Sequence, residues 1–137
     1  MLNVVFLGLV SFFADISSEM VYPIIPLYLT SVFGATPIII GVIEGIAESI
    51  ASLLKVYSGY ITDKYKKKKR IAFLGYSTGL IYKLVLIVAS TWTGILGARI
   101  IDRIGKGIRT APRDVMVSES ADKNKMGAAF GIHKALD

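Results

Sequence analysis

Apolar residues are concentrated in three long runs along the chain, at about 4–32, 38–61 and 71–89. Each run approaches or exceeds the roughly 20 residues that an α-helix needs to cross the hydrocarbon of a bilayer. The turns at 34–37 and 90–93 are short and uncharged, whereas the connection at 63–70 is strongly basic. The pattern predicts three transmembrane helices joined by short connections.

A fourth segment, at about 93–117, has the length of a membrane span but is rich in charge. Its charged residues are Arg99, Asp102, Arg103, Lys106, Arg109, Arg113 and Asp114. At about 100° per residue along a helix, all of them fall within an arc of about 140°, and isoleucines dominate the opposite side. Two structures fit this pattern: a transmembrane helix whose charged face lines a water-filled cavity, or a helix that lies in the membrane surface.

A polar loop at 118–125 follows, and an apolar segment at 126–137 then begins a fifth helix. A domain does not normally end after about three helical turns, so we expect the natural protein to continue beyond this point. Two stripes of small residues, Gly41-x-x-x-Gly45 and Gly75-x-x-x-Gly79, predict that helices pack closely where these glycines lie.

The basic connection also predicts the orientation in the membrane. Lysine and arginine are enriched in the loops on the cytoplasmic side of a membrane protein. Lys64 and the run 66–70 therefore predict that the 63–70 loop is cytoplasmic, and that the uncharged turns are external. The N-terminus is then cytoplasmic as well, in a multi-pass protein of the cell membrane.

Composition narrows the classes of function. Hydrophobic residues make up 53% of the chain and charged residues 19%. The net charge of +6 sits mainly in the basic loop and on one helix face, which does not indicate a nucleic-acid partner. There is no cysteine and a single histidine, His133, so we expect neither a metal site nor thiol chemistry. We predict a membrane protein that is not an enzyme, has no cofactor and has the lipid bilayer as a partner.

Ionisable side chains inside the predicted spans are candidates for function. The acidic ones lie in the first two spans and the basic ones in the third and fourth: Asp15, Glu19, Glu44 and Glu48 against Lys83, Arg99 and Arg103. Each ionised group would cost about 2.5–3.5 kcal/mol at the centre of a lipid-exposed helix, so we expect them to face one another or water. We predict a substrate or proton pathway. The alternative is a set of ion pairs that only hold the bundle together.

Glu44 and Glu48 stand out within this set, because they lie one helical turn apart on one face. Ionising both carboxyl groups therefore costs more than ionising either alone. We predict that the pair is a proton-coupling element, with Arg99 and Arg103 as counter-charges that could also attract an anionic group of a substrate.

Two motifs resemble signatures of the major facilitator superfamily. The first consists of Gly59, Asp63 and Lys64 followed by the basic residues Lys67 and Lys68, with Lys66 where the family pattern has a second glycine. The second is Arg99-x-x-Asp102-Arg103-x-Gly105-x-Gly107. The second signature belongs to the fourth helix of the family, so the resemblance favours the transmembrane interpretation of the 93–117 segment.

The resemblance implies an all-α, polytopic membrane bundle with four transmembrane helices and the start of a fifth. These would form an incomplete N-terminal half of a transporter in which two six-helix halves rock about a central cavity. By the same resemblance the first and fourth helices line that cavity. The first motif would belong to a cytoplasmic gate that contacts the other half, through Gly59, Asp63, Lys64, Lys67 and Lys68.

The implied function is secondary active transport of an unknown small-molecule substrate, with protons as a candidate coupling ion. The implied partner is the missing C-terminal half or a second copy of the chain. Two alternatives remain open. The length also suits a self-contained four-helix exporter that acts as a dimer, and a non-transporting membrane scaffold fragment.

Overall fold

The computed structural model describes residues 2–137, which are helical and contain no β-strand within that range. The α-helices are α1 (Leu2–Glu19), α2 (Ile24–Phe33), α3 (Pro37–Tyr65), α4 (Lys68–Val88), α5 (Trp92–Ser120) and α6 (Met126–Leu136). A 3₁₀ turn, Lys123–Lys125, precedes α6. Within the described residues, three stretches are long and apolar enough to cross a membrane: α1 together with α2, then α3, then α4.

The first apolar run is not one continuous helix, in contrast to the single helix predicted over 4–32. A turn at residues 20–23 separates α1 from α2. Pro23 has no backbone N–H to donate to the preceding turn, and its ring does not fit inside a regular helix. The amide N–H groups of Ile24 and Ile25 both bond to the carbonyl of Val21 instead, at 3.1 and 3.3 Å. The break places Tyr22 beside the charged face of α5.

The predicted polar loops are shorter than expected because helices extend into them. α3 continues to Tyr65 and α4 begins at Lys68, so only Lys66 and Lys67 of the predicted 63–70 loop are non-helical. Lysine favours helices, and a helix can project beyond the hydrocarbon without cost to its backbone hydrogen bonds. Similarly, α5 runs to Ser120, which reduces the predicted 118–125 loop to a bend and the 3₁₀ turn.

α5 lies between α3 and α4 and packs closely against both. A Cβ atom at Gly105 would lie 2.9 Å from the carbonyl oxygen of Gly75 in α4. A Cβ atom at Gly107 would lie 2.6 Å from the carbonyl oxygen of Ala51 in α3. These contacts are shorter than any side chain allows, so glycine is required for the backbones to approach this closely. The three helices therefore form one closely packed layer with α5 in the middle.

Apolar clusters occupy the two ends of the bundle. One contains Ile25, Leu29, Ile43 and Ile95, and the other contains Val4, Val117 and Ala129. Ile95 and Val117 both belong to α5 and are separated by about 33 Å at 1.5 Å per residue, close to the thickness of bilayer hydrocarbon. This placement favours the transmembrane alternative for α5. The seven charged residues of α5 from Arg99 to Asp114 lie between the two clusters.

Candidate functional site

Buried arginines of α5 form the centre of the bundle. Arg99, Arg103, Arg109 and Arg113 are each less than 10% exposed. Each contacts a carboxylate that lies outside α5. Arg99 and Arg103 contact carboxylates of α3, Arg109 contacts one of α1, and Arg113 contacts Asp137. Buried guanidinium groups need such partners because an unpaired charge in this environment is strongly unfavourable. The charged face of α5 is thus turned inward.

The contact between Arg99 and Glu44 is bidentate. Nε and Nη2 of Arg99 donate hydrogen bonds of 2.9 and 2.6 Å to the two carboxylate oxygens of Glu44. The Tyr22 ring stacks against the guanidinium at 4.6 Å, and Asp102 lies 3.6 Å from Nη1. Ser18 in turn donates to Asp102 at 3.4 Å. Bidentate pairing of this kind fixes the relative position of α3 and α5.

Arg103 bridges the two predicted proton-coupling carboxylates. Its Nη2 lies 3.9 Å from Glu44 and its Nε lies 3.4 Å from Glu48. Neither contact has the geometry of a hydrogen bond, and Nε has no hydrogen-bond partner among residues 2–137. The Glu48 side chain is 64% exposed, compared with 23% for Glu44. The structure therefore brings four of the predicted residues together, with Glu48 as the most accessible member.

A second group of contacts lies about two to three turns beyond Arg103 along α5. Arg109 forms an ion pair with Asp15, and the ring of Tyr76 covers its guanidinium at 4.8 Å. The Tyr76 hydroxyl is 2.8 Å from that of Ser11. Arg113 pairs with Asp137 and lies 3.4 Å from the same serine. The sequence interpretation placed Arg109 and Arg113 on the charged face but left them out of the predicted pathway; their position in the same narrow arc was the available signal.

The remaining predicted residues are less tightly held. Glu19 lies 3.7 Å from Lys106, and both side chains are about half exposed. Lys83 contacts the hydroxyl of Ser17. No carboxylate within residues 2–137 lies within 4.0 Å of the Lys83 ammonium, so the ion pair expected for it is not formed there.

A polar cavity of about 410 Å³ opens beside these contacts, between α1, α3, α5 and α6. We call it the central cavity; it is lined by Asp15, Glu48, Ala51, Ser52, Lys55, Lys106, Gly107, Arg109, Thr110, Arg113, Lys134 and Asp137. Five of these side chains are basic and three are acidic. Lys106 is the middle residue of α5, so the cavity lies at the depth of the helix centre.

The residues of the first motif lie at one end of the bundle. Lys66 ends α3 in the left-handed conformation, with φ of 53°, at the position where the family pattern has glycine. Gly59 packs near Ala111 of α5, and Lys64 lies 5.7 Å from the rings of Tyr60 and Tyr65.

Two further residues of the motif stand at the start of α4. Lys67 is the residue that precedes the helix, and Lys68 forms an ion pair with Glu119 near the end of α5. Within residues 2–137, no basic side-chain nitrogen lies within 4.0 Å of the Asp63 carboxylate. The described chain also contains no group of three or more side chains placed to hold a metal ion.

Comparison with known proteins agrees with the helices and motifs described above. The profile of the Major Facilitator Superfamily matches residues 7–136. A protein of Methanocaldococcus jannaschii named as an uncharacterized MFS-type transporter is 45% identical over 135 residues, which cover 98% of this chain and 33% of that protein.

Uncharacterized proteins of Mycobacterium bovis and Mycobacterium tuberculosis are 29% identical over 130 residues, covering 95% of this chain and 32% of theirs. The chain thus spans about a third of the length of the curated relatives it matches. No solved structure matches it. On the family match and the archaeal relative, this chain belongs to the Major Facilitator Superfamily of multi-pass membrane transporters.

Proposed function

We propose that this chain is the N-terminal part of a proton-coupled secondary transporter that works by alternating access in the cell membrane. In this proposal the N-terminus and the basic connection at 63–70 are cytoplasmic. The Gly59 motif acts at the cytoplasmic gate. The single observation that carries the proposal is the bridge that Arg103 makes between Glu44 and Glu48 beside the central cavity.

The two carboxylates have different roles in this arrangement. Glu44 is held by two hydrogen bonds from Arg99, a buried guanidinium, and serves as a fixed anchor between α3 and α5. Glu48 is largely exposed and lines the cavity, so water can deliver a proton to it. Intramembrane carboxylates in such positions are the usual carriers of protons in transporters.

Protonation of Glu48 would change the balance of charges at the bridge. The charged groups around Glu48 are Arg103 at 3.4 Å and the ionisable residues that line the same cavity: Asp15, Lys55, Lys106, Arg109, Arg113, Lys134 and Asp137. A neutral Glu48 leaves Arg103 attracted only to Glu44. The contact between α3 and α5 at Glu48 is then weaker. The bundle can therefore adopt two arrangements, one with this contact and one without it, and protonation of Glu48 favours the second.

Ser52 offers a test that does not require the substrate, because it is exposed and lines the central cavity. The chain has no cysteine, so a Ser52→Cys variant of the complete gene product, free of other reactive cysteines, reports access to this cavity. An impermeant maleimide is applied to right-side-out and inside-out vesicles across a range of pH. The ratio of the two labelling rates cancels the intrinsic pH dependence of the reagent.

Alternating access predicts that the introduced thiol of the Ser52→Cys variant is labelled from both sides and that the ratio of rates shifts with pH. Adding Glu48→Gln should make the ratio independent of pH, whereas adding Asp122→Asn, an exposed acid outside the cavity, should leave the shift unchanged. Labelling from one side only at every pH would contradict alternating access and favour a non-transporting scaffold. A pH response that survives in Glu48→Gln would show that the coupling carboxylate lies elsewhere.

A further inference from the structure

Within residues 2–137, not every basic side chain that lines the central cavity has a carboxylate partner. Arg109 and Arg113 have carboxylate partners in Asp15 and Asp137. Lys55 lines the cavity, yet among residues 2–137 no carboxylate lies within 4.0 Å of its ammonium group. Lys106 has only a 3.7 Å contact with Glu19, in which both side chains are about half exposed.

These two lysines are brought to the same cavity by the close packing of α3 and α5. Gly107 lets the backbones meet at Ala51, where a Cβ atom would be only 2.6 Å from the carbonyl oxygen. Lys106 adjoins this contact on α5, and Lys55 follows it by one turn on α3. Both lie within about 6 Å of the middle of their helices, at 1.5 Å of rise per residue. An ammonium group at this depth requires a counter-charge.

Resting on the proposed function, we propose that the central cavity binds a small organic anion, and that the carboxylate or phosphoryl group of this substrate contacts Lys55 and Lys106. A cavity of about 410 Å³ is within the range of small-molecule sites. The anion supplies the negative charge that Lys55 does not find among residues 2–137. Cationic solutes are disfavoured because the basic side chains of the lining outnumber the acidic ones.

Glu48 connects anion binding to the proton. Its carboxylate lines the same cavity and repels an incoming anion, so a proton on Glu48 strengthens anion binding. By reciprocity, a bound anion favours protonation of Glu48. The substrate and the proton therefore enter the cavity together, and the direction of coupling is symport.

The test is a binding measurement on the complete gene product purified in detergent, in which no transport is needed. The thermal unfolding midpoint is followed while succinate, inorganic phosphate or tetraethylammonium is added at constant ionic strength and pH 7. We expect a saturable rise with at least one of the two anions and none with the cation. Lys55→Gln and Lys106→Gln should each weaken that binding about tenfold, the usual size of a lost charge-assisted hydrogen bond.

Matched variants separate the site from general charge effects. Lys125→Gln removes an exposed lysine outside the cavity and should leave the anion affinity unchanged, and Lys55→Arg should retain binding. Glu48→Gln, which mimics the protonated state, should bind the anion more tightly than the wild type at pH 7.

Saturation by tetraethylammonium, no response to either anion, or an anion response that persists when both lysines are replaced would each overturn the inference. Failure of the proposed function gives a different result from failure of this inference. Anion binding would then be intact, while the labelling ratio of the Ser52→Cys variant would not change with pH.

Discussion

Replacing Glu44 and Arg99 by glutamine, singly and together, measures how strongly the central ion pair joins α3 to α5. The Arg99 side chain is 1% exposed and makes two hydrogen bonds to Glu44. Removing one partner of a buried pair costs about 3–5 kcal/mol, because the other charge stays buried without compensation. Arg103, at 3.9 Å from Glu44, partly compensates for loss of Arg99, so we expect each single variant to lose about 3 kcal/mol, the lower end of that range.

The double variant should be no less stable than either single variant, because two neutral amides leave neither member of this pair as an uncompensated buried charge. The cycle then gives a coupling energy of about 3 kcal/mol or more. The assay is equilibrium unfolding of the complete gene product in mixed micelles of dodecylmaltoside and increasing sodium dodecyl sulfate, followed by circular dichroism. Lys68 and Glu119 provide the control pair, since they are more exposed and should couple by less than about 1 kcal/mol. If the losses for Glu44 and Arg99 simply add, the pair does not hold the helices together.

Other predictions concern packing, turn geometry and orientation. Gly107→Ala should destabilise the protein by about 1–3 kcal/mol, because its Cβ would meet a backbone carbonyl of α3 at 2.6 Å. Gly97→Ala is the control and should not destabilise the protein, because a Cβ at Gly97 of the same helix would enter open space. Lys66→Gly should stabilise the connection by about 1 kcal/mol or less, measured by the same unfolding assay, because glycine adopts a positive φ without strain; a loss of stability would contradict this. In intact cells, an impermeant thiol reagent should label a cysteine introduced in place of Thr36 and not one in place of Lys67, and the reverse pattern would invert the proposed topology.

The inward charged face of α5 is predictable because it depends only on helical periodicity. The seven charges of α5 from Arg99 to Asp114 fall in one arc, and the structure buries four arginines on that side. The partners are less predictable, since they depend on the distances between helices. Glu44 does meet Arg99, as complementary charge suggests. Lys83 meets Ser17 instead, because a long flexible side chain can reach a hydroxyl when no carboxylate is near.

The packing glycines are likewise only partly predictable from the sequence. A stripe of small residues indicates that a close approach is possible, but it does not identify the neighbour. Gly75 meets the backbone of Arg109, as its stripe predicts. Within the described residues, no atom of another helix lies within 4 Å of a Cβ built at Gly79 of the same stripe, or at Gly41 or Gly45. The closest approach of α3 is at Gly107 of α5, a residue of the second family motif. The sequence also contains a signal for the break at Pro23, because proline lacks the hydrogen-bond donor that a continuous helix requires.

The central claim is that the charged face of α5 borders a water-filled cavity at the depth where the outer face of α3 lies in lipid. Spin labels at Thr110, which lines the central cavity, and at Val56, which is 76% exposed, test this at matched distances from their helix centres. Collision rates are measured with molecular oxygen and with a water-soluble nickel complex, in the complete gene product in liposomes. We predict that nickel dominates at Thr110 and oxygen at Val56. Oxygen-dominated collisions at both positions would contradict the account.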